Sequence, residues 1–208
     1  MTRSVNDDQA LCEEVLVKAA LEIIRERGAG ALRMRDLADV LGVSPMAAYH
    51  YVANKDDLLR RVGEAIWSSV EIPTEAGTWH ERLRALLLAE REVTKQFPGL
   101  YEATLYLYIV AKRAIEDLQL QLILDAGHPP AFAVPAFRAL RSWINGNAFI
   151  EAALRDPRRR PPPEEWHKAQ RLTFDRAAMP VMNADDYFVA GLDIVIAGMR
   201  ATLDAAPV

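Results

Sequence analysis

An all-α fold is predicted by three features of this 208-residue sequence. Apolar residues recur at helical spacing along nearly every segment, no stretch alternates as a strand does, and glycine and proline fall chiefly between the periodic segments. With 51% apolar and 26% charged residues, the chain has enough apolar side chain to bury a core as one domain or as one small and one larger unit.

The first helix is expected from about Ala10 to Arg27, with Leu11, Val15, Ala19, Leu21, Ile23 and Ile24 facing a core and Gly28 ending it. A second begins near Met34 and stops at Gly42. A third starts at Ser44, whose hydroxyl suits an N-cap, with Pro45 at the first helical position, and ends near Val52. Asn54 then caps a long helix, KDDLLRRVGEAIWSSVEI, in which Asp56 and Asp57 sit against the positive end of the helix dipole and Pro73 marks the stop. Beyond it, helices are expected at about 78 to 96, 100 to 126 (one helix or two), 130 to 155, 164 to 177 and 184 to 204. The breaks are FPG, AGHPP, DPRRRPPP and MPVMNAD. RRRPPP at 158 to 163 reads as an exposed, extended loop whose arginines either touch a ligand or DNA or are simply solvated.

Charge and chemistry narrow the function. A net charge of −4 and a pI near 5.6 argue against coating nucleic acid or acidic membrane through bulk charge. Residues 1 to 63 carry nine Lys/Arg against ten Asp/Glu, a balance of −1, so any DNA contact must rest on a few placed groups. No apolar run reaches the roughly 18 to 20 residues of a membrane span, and MTRSVNDDQALCEE lacks the basic start of a signal peptide. A cytoplasmic location is therefore expected. The single cysteine, Cys12, cannot form an internal disulfide and is expected as a small buried hydrophobe on a helix-like segment. There is no Gly-rich phosphate loop, nucleophile elbow or Cys/His cluster, and the neighbours Asp56/Asp57 and Glu164/Glu165 sit at helix starts. His50, His80, His128 and His167 are scattered, so no metal site and no cofactor are implied, and an enzyme is not expected.

The most informative stretch is DLADVLGVSPMAAYHYV, residues 36 to 52. Leu37, Leu41, Val43 and Val52 are spaced to share an interior, Ala38 is small enough for a crossing helix, and Gly42 can take the left-handed turn between two helices. This is a helix-turn-helix pattern. In its context, RERGAGALRMRDLADVLGVS followed by PMAAYHYVANKDDLL and a long helix, it resembles the N-terminal domain of the tetracycline-repressor (TetR) family of transcription regulators. More loosely, GNAFIEAAL and the terminal YFVAGLDIVIAGM look like the ligand-binding and dimerising domain of the tetracycline-repressor branch itself.

That resemblance implies a helix-turn-helix domain over residues 1–55, a connecting helix over 55–72, and a ligand-binding and dimerisation domain over 73–208. It implies DNA contacts from Arg33, Arg35, Ser44, Pro45, Met46, Ala47, Tyr49, His50, Tyr51 and Lys55. Tyr49 matches a tyrosine that packs on the DNA backbone and Lys55 a lysine that meets phosphate, while Arg35 can reach a guanine edge. Met46 and Ala47 would meet thymine methyls, and His50 would hydrogen-bond. Three positions depart from the family pattern: Arg33 replaces a Ser or Thr cap, Ala48 stands where a larger leucine is common, and Tyr51 where histidine is frequent.

In the larger domain the final helix is apolar nearly all round, and Gly191, Ala197 and Gly198 permit another helix to approach closely. With the 130 to 155 helix it supplies a twofold dimer interface expected to involve Phe132, Phe137, Leu140, Phe149, Tyr187, Leu192, Val195 and Met199. Trp79, Phe97, Tyr101, Leu105, Tyr106, Tyr108, Trp143 and Asn147 serve either as core packing or as the lining of a small-molecule site. The function expected is a ligand-responsive regulator, a repressor released from a palindromic double-stranded DNA operator by an apolar or aromatic effector, acting as a homodimer. The competing expectation is a helical small-molecule-binding or interaction protein whose helix-turn-helix is degenerate; the acidic balance of the first 63 residues favours it.

Overall fold

The computed structural model describes residues 11–74, 77–155 and 182–204, and among them the secondary structure is helical, with no strand. The helix expected at 164 to 177, the RRRPPP loop, Glu164, Glu165 and His167 lie outside the described residues. Two compact units divide the chain, Met1–Phe137 and Arg138–Val208.

The first unit begins with α1, Glu13–Arg27, whose buried residues Leu16, Ala19, Ala20, Ile23 and Ile24 form one stripe. Leu16, not the expected Val15, starts that stripe, because position 16 lies three, four and seven residues before Ala19, Ala20 and Ile23. Cys12 precedes the helix at its N-cap and is a free, half-buried thiol rather than a residue inside the helix. Helices α2 (Met34–Leu41) and α3 (Pro45–Ala48) follow, then α4, Lys55–Ser68. Helix α4 stops before the expected Ile72. Ser69 Oγ donates to the Ile66 carbonyl at 2.7 Å, and the Ser69 and Val70 N–H groups bond three residues back, closing the last turn tightly.

The 100 to 126 segment is two helices, α6 (Leu100–Ala103) and α7 (Val110–Asp125), placed after α5 (Trp79–Thr94). Between them the Leu100 carbonyl accepts from both the Thr104 N–H at 2.9 Å and the Thr104 hydroxyl at 2.7 Å, and the Leu107 N–H bonds three residues back to Thr104 in a tighter turn. One core unites Leu16, Ile23 and Ile24 of α1, Leu37 of α2, Ala48, Val52, and Leu58, Val62 and Ile66 of α4 with Phe97 and Leu100. The turn before α6 is tied to this core by the Ala29 N–H, which donates to the Pro98 carbonyl at 2.8 Å. Helix α4 packs on α1, α5 and α7.

Helix α8, Pro130–Arg155, and helix α9, Ala184–Asp204, match the expected bounds. Within the second unit, Gly191 lets the Trp143 ring lie against α9, since a Cβ there would meet Trp143 Cζ2 at 2.5 Å. Trp143 also tilts against Phe188, with ring centroids 5.1 Å apart. Gly198, by contrast, has no neighbour within 4 Å.

Candidate nucleic-acid interface

Helix α2 ends in a left-handed residue: Gly42 has φ 68° and ψ 26°, which a side chain would strain. Its N–H reaches the Asp39 carbonyl at 3.3 Å and the Val43 N–H reaches that of Ala38 at 3.0 Å, so the last carbonyls of α2 are satisfied as the chain reverses. Ser44 then caps α3, its Oγ accepting from the Ala47 N–H at 3.2 Å, with Pro45 at the first turn. The α-helical part is a single turn. From there to Val52 the chain continues in tighter turns, the His50 N–H bonding Ala47 and the Tyr51 N–H bonding Ala48. Ala48 and Val52 anchor the underside in the core, and the small Ala48 is fully buried.

What remains outside is the other face. Met46 is 69% exposed, and Tyr49, His50, Tyr51 and Pro45 are exposed with it, while Ala47 is half-buried. An apolar side chain as open as Met46 contributes little to folding and is free to meet a partner. Arg33, at the extended residue before α2, is exposed and makes no capping hydrogen bond, as its replacement of a hydroxyl residue leads one to expect. Arg35 is exposed one residue into α2, and Lys55 is half-buried as the first residue of α4.

The start of α4 is firmly held. Asn54 Oδ1 accepts from the Asp57 N–H at 2.9 Å, and Asp57 Oδ2 accepts from the Ala53 N–H at 3.1 Å. Asp57 also takes Arg60 at 2.8 Å and Arg61 at 3.2 Å, and Arg61 pairs in turn with Glu13 of α1. Burial raises the Asp57 carboxyl, but the bonds from Ala53, Arg60 and Arg61 outweigh it and hold the group below its ordinary value. The two acids and two bases of this network balance in charge, and Arg33, Arg35 and Lys55, which flank the exposed segment in sequence, lie outside it.

The residues expected around a ligand fall in different local environments. Phe97 is buried in the core of the N-terminal helices α1 to α4, the head, under the Arg25 guanidinium, 5.2 Å from its ring centroid. Leu105, Tyr106 and Tyr108 stand out from the loop between α6 and α7, Tyr106 at 93% exposure. Trp79 meets His128 edge-on at 5.2 Å. Trp143 and Asn147 belong to the second unit. Only Tyr101 enters a polar interior, and most of that interior was missed from sequence: Glu90 of α5 accepts from Tyr101 Oη at 2.6 Å and from Gln119 Nε2 of α7 at 2.7 Å. Beside it the Lys112 ammonium lies 5.7 Å from the Trp67 ring and 5.6 Å from that of Tyr101. The signal in the sequence was polar residues continuing an apolar stripe, Glu90 after Leu83, Leu86 and Leu87 in α5, and Gln119 between Ile115 and Leu122 in α7.

Of the residues expected at a dimer interface, Leu140, Leu192 and Met199 are buried within the chain itself, Phe149 and Tyr187 are exposed, and Phe132, Phe137 and Val195 are half-buried. Among the described residues no group of three His, Cys, Asp or Glu is placed to hold a metal ion, and no helix is long and apolar enough to cross a membrane.

Two family models match the chain. Residues 16–62 match the model of bacterial regulatory proteins of the tetR family, and residues 73–203 match the tetracyclin repressor-like C-terminal domain. The chain is 32% identical over 145 residues to the HTH-type transcriptional regulator BetI of Rhizobium meliloti, covering 67% of this chain and 71% of that protein. To the tetracycline repressor protein class C of Escherichia coli it is 26% identical over 211 residues, 91% of each chain. Among solved structures, ActR of Streptomyces coelicolor in complex with (S)-DNPA superposes with a TM-score of 0.69 at 23% identity, covering 93% of this chain and 100% of that one.

Proposed function

The chain belongs to the tetR family of bacterial regulatory proteins, DNA-binding and ligand-responsive transcription regulators, and from that premise we propose that it is a dimeric repressor released from a palindromic operator by a small molecule. Residues 1–55 read the operator, α4 connects, and residues 73–208 hold the effector and the partner subunit. One observation carries the DNA assignment: the segment Pro45 to Tyr51 is anchored by the buried Ala48 and Val52, yet presents Met46, Tyr49, His50 and Tyr51 to solvent between the cations Arg33, Arg35 and Lys55. A reading edge without charge, bordered by charge, suits a division in which phosphate contacts position the protein and base contacts specify.

In this reading Arg33 and Lys55 meet phosphate, Arg35 reaches a base edge, and Ser44, Pro45, Met46 and Ala47 line the major groove with His50, while Tyr49 and Tyr51 pack against the backbone. The exposed Phe149 and Tyr187 contribute to the dimer. The effector is apolar or aromatic in character, matching the aromatic groups Trp67, Tyr101 and Trp79 around the α5 to α7 helices.

Selection of duplexes from a random library by the purified protein, followed by titration of the enriched duplex at increasing salt, tests the proposal. Binding that weakens steeply with salt and falls about tenfold or more in Tyr49→Ala is expected. Enrichment of no duplex at low salt, with Tyr49→Ala indistinguishable from the parent, would leave the helical interaction protein as the better reading.

A further inference from the structure

Helix α4 belongs to two assemblies at once. Leu58, Leu59, Val62 and Ile66 sit in the head's core, and the next positions along the helix face the start of α7. Glu64 Oε1 accepts from the Val110 N–H at 2.7 Å and Glu64 Oε2 from the Ala111 N–H at 2.9 Å. These are the first two N–H groups of α7, donors that no helix can satisfy from within. The local sequence offers them nothing: Ile109 at the N-cap makes no side-chain bond, and the first turn of α7 has no acidic residue. A carboxylate from a helix 46 residues away does the capping instead, at the positive end of the α7 dipole. Beside it, Gly63 leaves room for Ile109, whose Cδ1 would collide with any Cβ at that position. Farther along, α7 carries Lys112 and Gln119 to the polar interior around Glu90 and Trp67.

We propose that Glu64 is a positioning residue that latches α7 to α4 and thereby lets the ligand-binding helices and the DNA head sense one another. The proposal rests on the reading that the head binds DNA. A cap supplied from the sequence next to α7 would serve local stability alone; this one, from another element, ties the end of a helix that carries interior polar groups to a helix whose other face is the head's core. Coupling between two sites is reciprocal, so DNA must act on α7 as much as an effector acts on the head. The latch can therefore be tested with DNA as the probe.

Hydrogen exchange is followed at Val110 and Ala111 in the full-length protein, with and without a duplex enriched from a random library. In the parent, DNA is expected to change exchange at these amides by about fivefold or more. Glu64→Ala should bind the same duplex within about threefold yet show no such change, because the path is cut while the reading face is untouched. Glu64→Gln, which keeps one acceptor but loses the charge, should transmit a partial change, and it decides the matter if Glu64→Ala does not fold. Full transmission in both variants overturns the proposal, as does a parent whose Val110 and Ala111 exchange ignores bound DNA. Loss of duplex binding beyond about tenfold in both variants at an unchanged melting temperature also overturns it, by making Glu64 part of the head's own structure. Failure of the underlying DNA reading shows itself separately, as the enrichment of no duplex at all.

Discussion

Gln119 donates from Nε2 to Oε2 of Glu90 at 2.7 Å, joining α7 to α5 between two side chains that are 0% and 1% exposed. Tyr101 takes the other oxygen of the same carboxyl at 2.6 Å, so one acidic side chain collects donors from two further elements. Polar groups so deep in a helical bundle are tolerated because each finds hydrogen bonds, and their removal is felt one donor at a time.

Gln119→Leu and Tyr101→Phe each keep most of the side-chain volume while deleting one donor to Glu90. Each is expected to lower stability by about 1.5 to 3 kcal/mol, read by urea denaturation. Because the two donors share an acceptor, the double variant should depart from the sum by about 0.5 kcal/mol or more. Additive losses would mean that the two bonds are independent and that Glu90 does not link α6 to α7.

His128 is 3% exposed, and neither ring nitrogen has a hydrogen-bond partner among the described residues. Phe132 stacks on it at 4.6 Å between ring centroids, and Trp79 meets it edge-on. Burial lowers its pKa, because the charged imidazolium is poorly solvated there. The folded state thus resists a proton that the unfolded chain accepts below about pH 6.5, so stability is complete above that pH and falls as the solution is acidified through it. His128→Phe should abolish this part of the acid loss: its melting temperature should exceed the parent's at pH 5, with the gap closing by pH 8. Parallel melting curves for the two proteins across that range would show that His128 does not titrate on unfolding.

Gly63 of α4 faces the Ile109 side chain at the start of α7, where an added Cβ would meet Ile109 Cδ1. Gly63→Ala gains up to about 1 kcal/mol in helix propensity, but the new methyl meets Ile109 Cδ1, and overpacking of this kind costs about 1 to 3 kcal/mol. Net destabilisation is therefore expected. Ile109→Val removes the colliding atom, and in its presence Gly63→Ala should become neutral or stabilising by thermal denaturation. A reversal of sign identifies the contact as the cause, whereas the same loss in both backgrounds places the strain elsewhere.

The sequence was most legible where local rules decide the outcome. Gly42, Ser44, Pro45 and Asn54 occupy the turn and cap positions their chemistry favours, because such preferences act within three or four residues. It was less legible where distant residues decide. Glu64 takes its role from backbone donors at Val110 and Ala111, 46 and 47 residues away, and Glu90 from Gln119, 29 residues away. The aromatic residues marked as pocket lining illustrate the same limit: composition identifies Phe97 and Tyr106 as alike, yet packing buries one in the head's core and leaves the other open. Glu90 and Gln119 escaped notice because a polar residue on an apolar stripe becomes meaningful only once its partner across the bundle is known.

The reading face makes a last prediction possible, because its charged and uncharged members should fail differently. Lys55 begins α4 at the border of the exposed segment, where an ammonium can meet a phosphate of any sequence; Lys55→Ala should weaken all duplexes alike and reduce the salt slope by about one. Arg35, Met46 and His50 are exposed without belonging to the Asp57 ion network, and their alanine variants should change the order in which duplexes are preferred, by about 1 to 3 kcal/mol at the base concerned. Met46→Ala should matter most at thymine, whose methyl is the apolar feature of the groove, and should leave the salt slope as it is. Binding of each variant to the enriched duplex and its single-base substitutions, at two salt concentrations, separates the two behaviours. If Lys55→Ala reordered the preferences, or if Met46→Ala weakened every duplex equally, the uncharged segment would be serving as a support for the head and the bases would be read from elsewhere.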